Sequence, residues 1–428
     1  MLGEQSTTQQ LDAKPDSPAS PRASLPLRMK LALLLLSVVF SLAVFLTLDG
    51  IRSSAILRHA NSAKASTCRV ADPVLHHALK PNCAFIEHWG HDNFAYFTNS
   101  LGLRDQKIRD VPLADGRPRI LILGNSFTEG ETSWQDSFVG QIAAQLPQYD
   151  FLNGGAPSYS PSNYLNLTRK LLAKGVDIDE VIVFSGVFDV FNEASFYRDV
   201  DANGAVAGPK QQRWNIPRYA KARFFIARNF MLTNYAIEAV ERLLIGHGYY
   251  HLYTDQFGDA FDMEATAWTY RNVDETDPHP AGYAPLGAEA GIAKEKAKMT
   301  LLWQELQKRN IPISVVVYPY PAQLVHDSAE SRQVRLWRDW CEGKCKSFIS
   351  VFPAFFAVKE QCPPSRPGCW YLSHFIFGDF HYNRAGNTVV ADAVINNLEQ
   401  HPPAKLPQPD STPATQARAE SSQALGLH

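Results

Sequence analysis

Residues 119–130, R-I-L-I-L-G-N-S-F-T-E-G, limit what this chain can fold into more tightly than any other stretch. Four consecutive apolar residues, Ile120, Leu121, Ile122 and Leu123, run directly into a glycine-flanked turn. The run is too short for a helix and lacks the alternation of a half-exposed strand, so it predicts a strand buried on both faces, as in parallel sheets. Gly124 lets the backbone turn tightly, and Ser126 then stands just beyond the carboxyl end of the strand, where open α/β sheets gather their chemistry. Ser126 is a candidate nucleophile; the competing reading is a capping serine in an ordinary strand-to-helix loop.

The flanking sequence continues the same rhythm. A helix over 137–146, a strand over 149–152, a helix over 163–173 and a strand over 180–185 follow, which predicts a parallel sheet with right-handed crossovers. The rhythm breaks at about 200–290 and resumes with a helix over 293–309, strands over 311–318 and 348–352, and a last helix over 384–398. Within the insertion, residues 220–245 read as one helix rich in Phe, Leu and Ile, preceded by Lys210, Arg213, Arg218, Lys221, Arg223 and Arg228. It is either a basic amphipathic surface facing headgroups or an anionic substrate, or a helix packed on the core. Ordinary packing is the reading taken here, with the segment as a candidate lid or substrate wall.

At the N-terminus, residues 1–30 form a polar, Pro- and Ser-containing tail that predicts disorder. Residues 31–48 carry no charge and, at about 1.5 Å per residue, span roughly 27 Å, close to the hydrocarbon thickness of a bilayer. One transmembrane helix is expected, against a cleaved signal peptide, whose apolar core is shorter and has a small-residue cleavage site close behind. Lys and Arg flank the run on both sides and do not choose an orientation. The six cysteines do: Cys68, Cys83, Cys341, Cys345, Cys362 and Cys369 all lie after the run, and an even number at close spacings predicts disulfides in an oxidising compartment. A four-thiolate zinc site is the rival, without paired C-x-x-C knuckles to support it. Residues 50–428 are therefore expected outside the cytoplasm, in the periplasm, with 49–98 as stalk and lead-in and 401–428 as a disordered tail. The net charge of -2 offers no sign of nucleic-acid binding. His88 and His91, spaced H-x-x-H, read as surface or packing histidines.

The serine turn resembles the first block of the SGNH, or GDSL-like, hydrolases, G-D-S-x-x-x-G, with Gly124, Ser126 and Gly130 matching and Asn125 in place of the aspartate. The resemblance covers residues 99–400. It implies a flavodoxin-like three-layer sandwich with a central parallel sheet, a serine nucleophile, no cofactor and no metal. In the last block, G-D-F-H-Y-N, it assigns Asp379 and His381 to the serine, with D-x-H where D-x-x-H is commoner; on a straight strand residues i and i+2 share a face. His374 is the reserve base, and helix capping is the alternative role for Asp379. The second block, N-G-G-A-P-S over 153–158, puts Ser158 where relatives have a glycine whose backbone N–H serves the oxyanion, beside the N–H of Ser126. In the third block Phe188 occupies the place of an asparagine donor; losing one such donor typically costs about 10² to 10³ in rate. Asn192 and Asn163 are candidate replacements.

These readings lead to a membrane-anchored serine hydrolase acting on ester bonds, an esterase, deacylase or O-acyltransferase whose partner is an acylated envelope glycan or lipid. A degenerate domain that binds a glycan or protein without catalysis is the alternative. A phospholipase or thioesterase is a third.

Overall fold

The computed structural model describes residues 26–63, 68–90, 92–200, 204–208, 218–254, 258–273 and 283–404. The expectations for His91, for Lys210 and Arg213, and for most of both tails fall outside the described residues.

Eight strands share one sheet. The hairpin β1 (Ala84–Trp89) and β2 (Asp92–Thr98) leads through β3 (Arg104–Asp105) to β4 (Arg119–Leu123), β5 (Asp150–Asn153), β6 (Glu180–Ser185), β7 (Ile313–Val317) and β8 (Ser347–Ser350). The spatial order is β8-β7-β6-β4-β5-β3-β2-β1, with β4 to β8 mutually parallel and β1 to β3 an antiparallel extension. The five parallel strands alone run in flavodoxin-like order, which places the topological switch point between β4 and β6. The sheet is thus mixed rather than wholly parallel, and residues 84–98, read from sequence as stalk and lead-in, supply its antiparallel edge together with Arg104 and Asp105. The register explains why: Thr98 pairs with Arg104, and Arg104 pairs with Asn153 at the end of β5, so the lead-in extends the sheet.

Both faces of the parallel strands are covered, as their unbroken apolar runs require. Ile120, Ile122, Ile182 and Phe184 point into one core with Phe138 and Ile142 of α3 (Phe138–Gln145) and Val390 and Val394 of α13 (Arg384–Gln400). Leu121, Leu123, Val181 and Val183 point into the other, against α4 (Pro161–Ala173), α8 (Ala288–Gln307) and α10 (Arg332–Cys341). The period of two along β4 and β6 divides these residues between the two layers.

Further helices are α1 (Leu27–Ala63), α2 (Ser126–Glu129), α5 (Phe188–Phe191), α9 (Pro321–His326), α11 (Phe352–Glu360) and α12 (Cys369–His374). Within residues 27–56 of α1 the most apolar 18-residue stretch has a mean hydropathy of 2.8 and none of it is buried in the protein; the helix is long and apolar enough to cross a membrane. The insertion departs from expectation. Where the sequence reads as a single helix over 220–245, two stand: α6 (Arg218–Asn229) and α7 (Met231–Gly246), separated by Phe230 at φ -138 and ψ 84. No Pro or Gly marks the break. Its cause is distant in sequence: Asp49 of α1 accepts from the backbone N–H of Leu232 (3.0 Å) and Thr233 (2.9 Å), and Ser53 Oγ accepts from Met231 N (2.7 Å), capping a new helix there.

All six cysteines are paired, Cys68 with Cys83, Cys341 with Cys345 and Cys362 with Cys369. Among the described residues no group of three or more His, Cys, Asp and Glu is arranged to hold a metal ion.

Candidate active site

Three loops meet at the switch point. After β4 the chain turns at Gly124 and enters α2, capped by Asn125, whose Oδ1 accepts from Phe127 N at 3.1 Å. Asn125 Oδ1 also accepts from Tyr318 OH (3.0 Å), and its Nδ2 donates to Asp189 Oδ1 (3.3 Å), the acid of the loop after β6. Asp189 in turn accepts from Tyr164 OH (2.9 Å) and Gly186 N (3.3 Å). Burial pushes the Asp189 carboxyl well above its ordinary range, offset only in part by these donors. An amide at position 125 suits this setting, because a second carboxylate facing Asp189 would be another buried acid. Space is equally tight: a Cβ on Gly186 would stand 2.3 Å from Asn125 Nδ2, and one on Gly155 2.4 Å from Glu129 N. The three turns can approach this closely only with glycine at those places.

The structure brings Ser126, His381 and Asp379 together. Ser126 Oγ lies 2.7 Å from His381 Nε2, and His381 Nδ1 lies 2.8 Å from Asp379 Oδ1, across 255 residues of sequence in the first case and two in the second. His381 is 3% exposed, whereas Ser126 keeps partial access to solvent. Rings enclose the imidazole: Phe380 at 4.4 Å, Phe127 at 4.6 Å and Trp89 at 5.6 Å between centroids. Burial pushes the Asp379 carboxyl up, but the His381 ring and the backbone N–H groups of Phe380 and His381 outweigh it and hold Asp379 below its usual range. Asp379 therefore stays ionised and able to orient the ring. It does not cap α13; Asn383 does, accepting from Ala385 N (2.9 Å) and Gly386 N (3.2 Å). His374 bonds Ser373 Oγ instead.

Ser158 adopts φ 59, the left-handed region, in the place the resemblance gives to glycine. The loop after β5 thus keeps a glycine-like path despite the side chain, at a cost of about 1–2 kcal/mol for a non-glycine residue. Both candidate replacement amides donate to backbone carbonyls in this structure. Asn192 Nδ2 donates to Ser158 O (3.1 Å), holding that loop, and Asn163 Nδ2 donates to Leu75 O (2.9 Å). Phe188 is packed in an aromatic stack with Tyr320 (5.2 Å) and Phe380 (5.8 Å), so the third-block position backs the histidine loop with apolar surface.

Two supports were not legible in the sequence. Trp89, at the end of β1, donates from Nε1 to Asp379 Oδ2 at 2.5 Å across 290 residues. Arg104 of β3, 1% exposed, donates to the carbonyls of Glu129, Gly130 and Thr132, gripping the chain as it leaves α2. The buried Glu129 carboxylate accepts from Arg69 Nη1 (2.7 Å) and from Tyr96 OH. The antiparallel edge thus braces both the serine turn and the aspartate.

Neither a family model nor a curated protein matches this chain. Solved structures do resemble it. A catalytic mutant of an acetylxylan esterase from Geobacillus stearothermophilus is 11% identical, over 65% of this chain and 93% of the other, at a TM-score of 0.34. A GDSL-like lipase from Bacteroides thetaiotaomicron is 8% identical over 66% and 88%, at 0.32. An SGNH-hydrolase family esterase is 12% identical over 55% and 76%, at 0.28. The case for chemistry rests on this chain's own geometry.

Proposed function

We propose that this chain is a membrane-anchored serine hydrolase acting on ester bonds, with Ser126 as nucleophile, His381 as general base and Asp379 as its orienting carboxylate. The observation that carries the proposal is the continuous line of contacts from Ser126 Oγ to His381 Nε2 (2.7 Å) and from His381 Nδ1 to Asp379 Oδ1 (2.8 Å). A serine hydroxyl is a weak nucleophile near neutral pH and needs such a base, held in one tautomer by a third group.

In this mechanism His381 Nε2 takes the Ser126 proton as Oγ attacks the acyl carbonyl. The backbone N–H groups of Ser126 and Ser158 receive the developing oxyanion. The imidazolium then returns its proton to the departing alcohol, leaving an acyl-serine. Water, activated by the same ring, releases the acid; a sugar hydroxyl entering in its place would make the outcome acyl transfer. With Phe188 in place of an amide, two backbone donors carry the oxyanion, which predicts turnover slower by about 10² to 10³ than with a third donor.

The substrate class proposed is an acylated glycan or lipid of the cell envelope. The three disulfides and the apolar α1 support a domain outside the cytoplasm, tethered by one helix. Under this reading residues 99–400 form the hydrolase-like domain.

The full chain in detergent or nanodiscs, given p-nitrophenyl acetate and a fluorophosphonate probe, tests the chemistry. Wild type is expected to hydrolyse the ester and take the label at Ser126, while Ser126→Ala loses about 10⁶ in rate, down to background. Equal rates for the two proteins would remove Ser126 as nucleophile. A folded wild type that neither turns over nor labels would favour the alternative, a binding domain on the same fold, for which the aromatic packing of Phe188 in a donor position is the supporting observation.

A further inference from the structure

Helix α7 carries an apolar stripe that none of the described residues covers. Leu232, Ala236, Ala239, Val240 and Leu243 recur at i, i+4, i+7, i+8 and i+11, the spacing of one helical face, and all five are exposed. Leu232 is 43%, Val240 56% and Leu243 61% exposed. The polar side of the same helix is occupied within the protein: Glu241 pairs with Arg223 of α6 at 2.9 Å and Asn234 accepts from the same guanidinium. An amphipathic helix ordinarily turns its apolar face to the core, and this one turns it outward.

The joint with α1 says what covers that face. Residues 31–48 of α1 are free of charge, Asp49 is the first charged residue after them, and Asp49 and Ser53 make the capping bonds to Met231, Leu232 and Thr233 at the start of α7. Gly50 packs beside Phe230 in the same joint, where a Cβ would stand 3.2 Å from the Phe230 ring. The start of α7 is therefore fixed to α1 at the level where an 18-residue span of about 27 Å leaves the hydrocarbon. A helix held at that depth, apolar on its free side and next to the exposed basic residues Arg218 and Lys221 of α6, has the character of an interfacial helix.

We propose that the free face of α7 lies in the interface of the same bilayer that α1 enters, so that the domain is held to lipid at two places. The proposal rests on α1 spanning the membrane and is independent of the ester chemistry. It gives the insertion a role: the far end of α7 reaches the histidine loop, where Arg242 stands 3.7 Å over the Phe377 ring and Gly368 N donates to Gly246 O at 3.3 Å. Asp379 lies two residues beyond Phe377, so α7 would tie the histidine loop to the lipid surface.

Because every native cysteine is paired, a single introduced thiol can be labelled alone. Full-length Val240→Cys, Leu36→Cys and Arg338→Cys, each carrying a nitrobenzoxadiazole dye, are compared in liposomes of phosphatidylethanolamine and phosphatidylglycerol with nitroxide-tagged lipid. The Val240→Cys label is expected to shift to the blue and to be quenched by the shallow nitroxide, while the Arg338→Cys label on α10 stays in water. A quenched Leu36→Cys label beside an unquenched, aqueous Val240→Cys label overturns the proposal and leaves the anchor intact. A Val240→Cys label that shifts to the blue without lipid quenching also overturns it, pointing to a second copy of the chain as the cover. If neither label is quenched, the reading of α1 itself fails, and the proposal with it.

Discussion

The turn after β4 and the hairpin of α6 and α7 are built on opposite plans. At the turn, every group is held from several directions: Asn125 is tied to Tyr318 and Asp189, the three loops meet across glycines, and the aspartate is gripped by Trp89 as well as by its own loop. The hairpin is joined to α1 at its turn, meets α12 at the end of α7 and Tyr253 through Tyr219 of α6, and leaves the apolar face of α7 exposed. A site that must hold reacting atoms to fractions of an ångström needs redundancy. A surface meant to meet a fluid partner needs only correct placement.

If the turn is a preorganised site, disturbing its charge should cost most. Asp379→Asn is expected to lower kcat by about 10⁴, because an amide stabilises neither the productive tautomer nor the imidazolium. The same variant tests the pH behaviour. Asp379 is held below its ordinary range in the folded protein, so its contribution to stability is present above the usual carboxylate pKa of about 3.9 and is lost as pH falls through the lowered folded value. Acid unfolding followed by circular dichroism should therefore show a shallower dependence below pH about 4 in Asp379→Asn than in wild type.

The aromatic stack comes next. Phe188→Ala should destabilise the protein by about 3 kcal/mol, the lower end for emptying a buried phenylalanine site, measured by urea unfolding. Little loss of stability would mean that the stack does not brace the histidine loop. Trp89→Phe keeps a ring beside His381 and removes the donor to Asp379. Loss of one charge-assisted hydrogen bond predicts a fall of about tenfold in kcat with KM unchanged. An unchanged kcat would make the antiparallel edge a scaffold only.

On the hairpin, effects should be smaller and local. Asp49→Ala removes the cap from α7 and is expected to cost about 1 kcal/mol, seen as faster amide exchange in the first turn of α7 while the core strands keep their protection. Global loss of protection would show that the hairpin is part of the same cooperative unit as the turn. The smallest effect is expected for Ser158→Gly, which relieves a left-handed backbone while adding freedom to the unfolded chain; stability should stay within about 1 kcal/mol and the ester rate should be kept, because the donor is backbone.

What was legible in the sequence was local. The apolar run at 120–123 announced a doubly covered strand, and the last-block resemblance named Asp379 and His381, whose spacing allowed them to share a face; both readings depend on residues within a few positions of each other. The even number and close spacing of the cysteines announced disulfides on the same ground, while which cysteine joins which was decided by the fold. The break at Phe230, the arrival of Trp89 on Asp379 and the use of Asn192 and Asn163 for other bonds depend on partners between 34 and 290 residues away, and no local pattern records them. The lead-in illustrates the boundary: its short strands look like a stalk until the end of β5 offers them an edge to pair with. Periodicity and glycine punctuation, which are properties of the chain, determined the sheet and named the serine. Which donors face the serine, what braces its aspartate and which helix face is left for a partner were decided by packing, because hydrogen-bond partners and burial are properties of position in space.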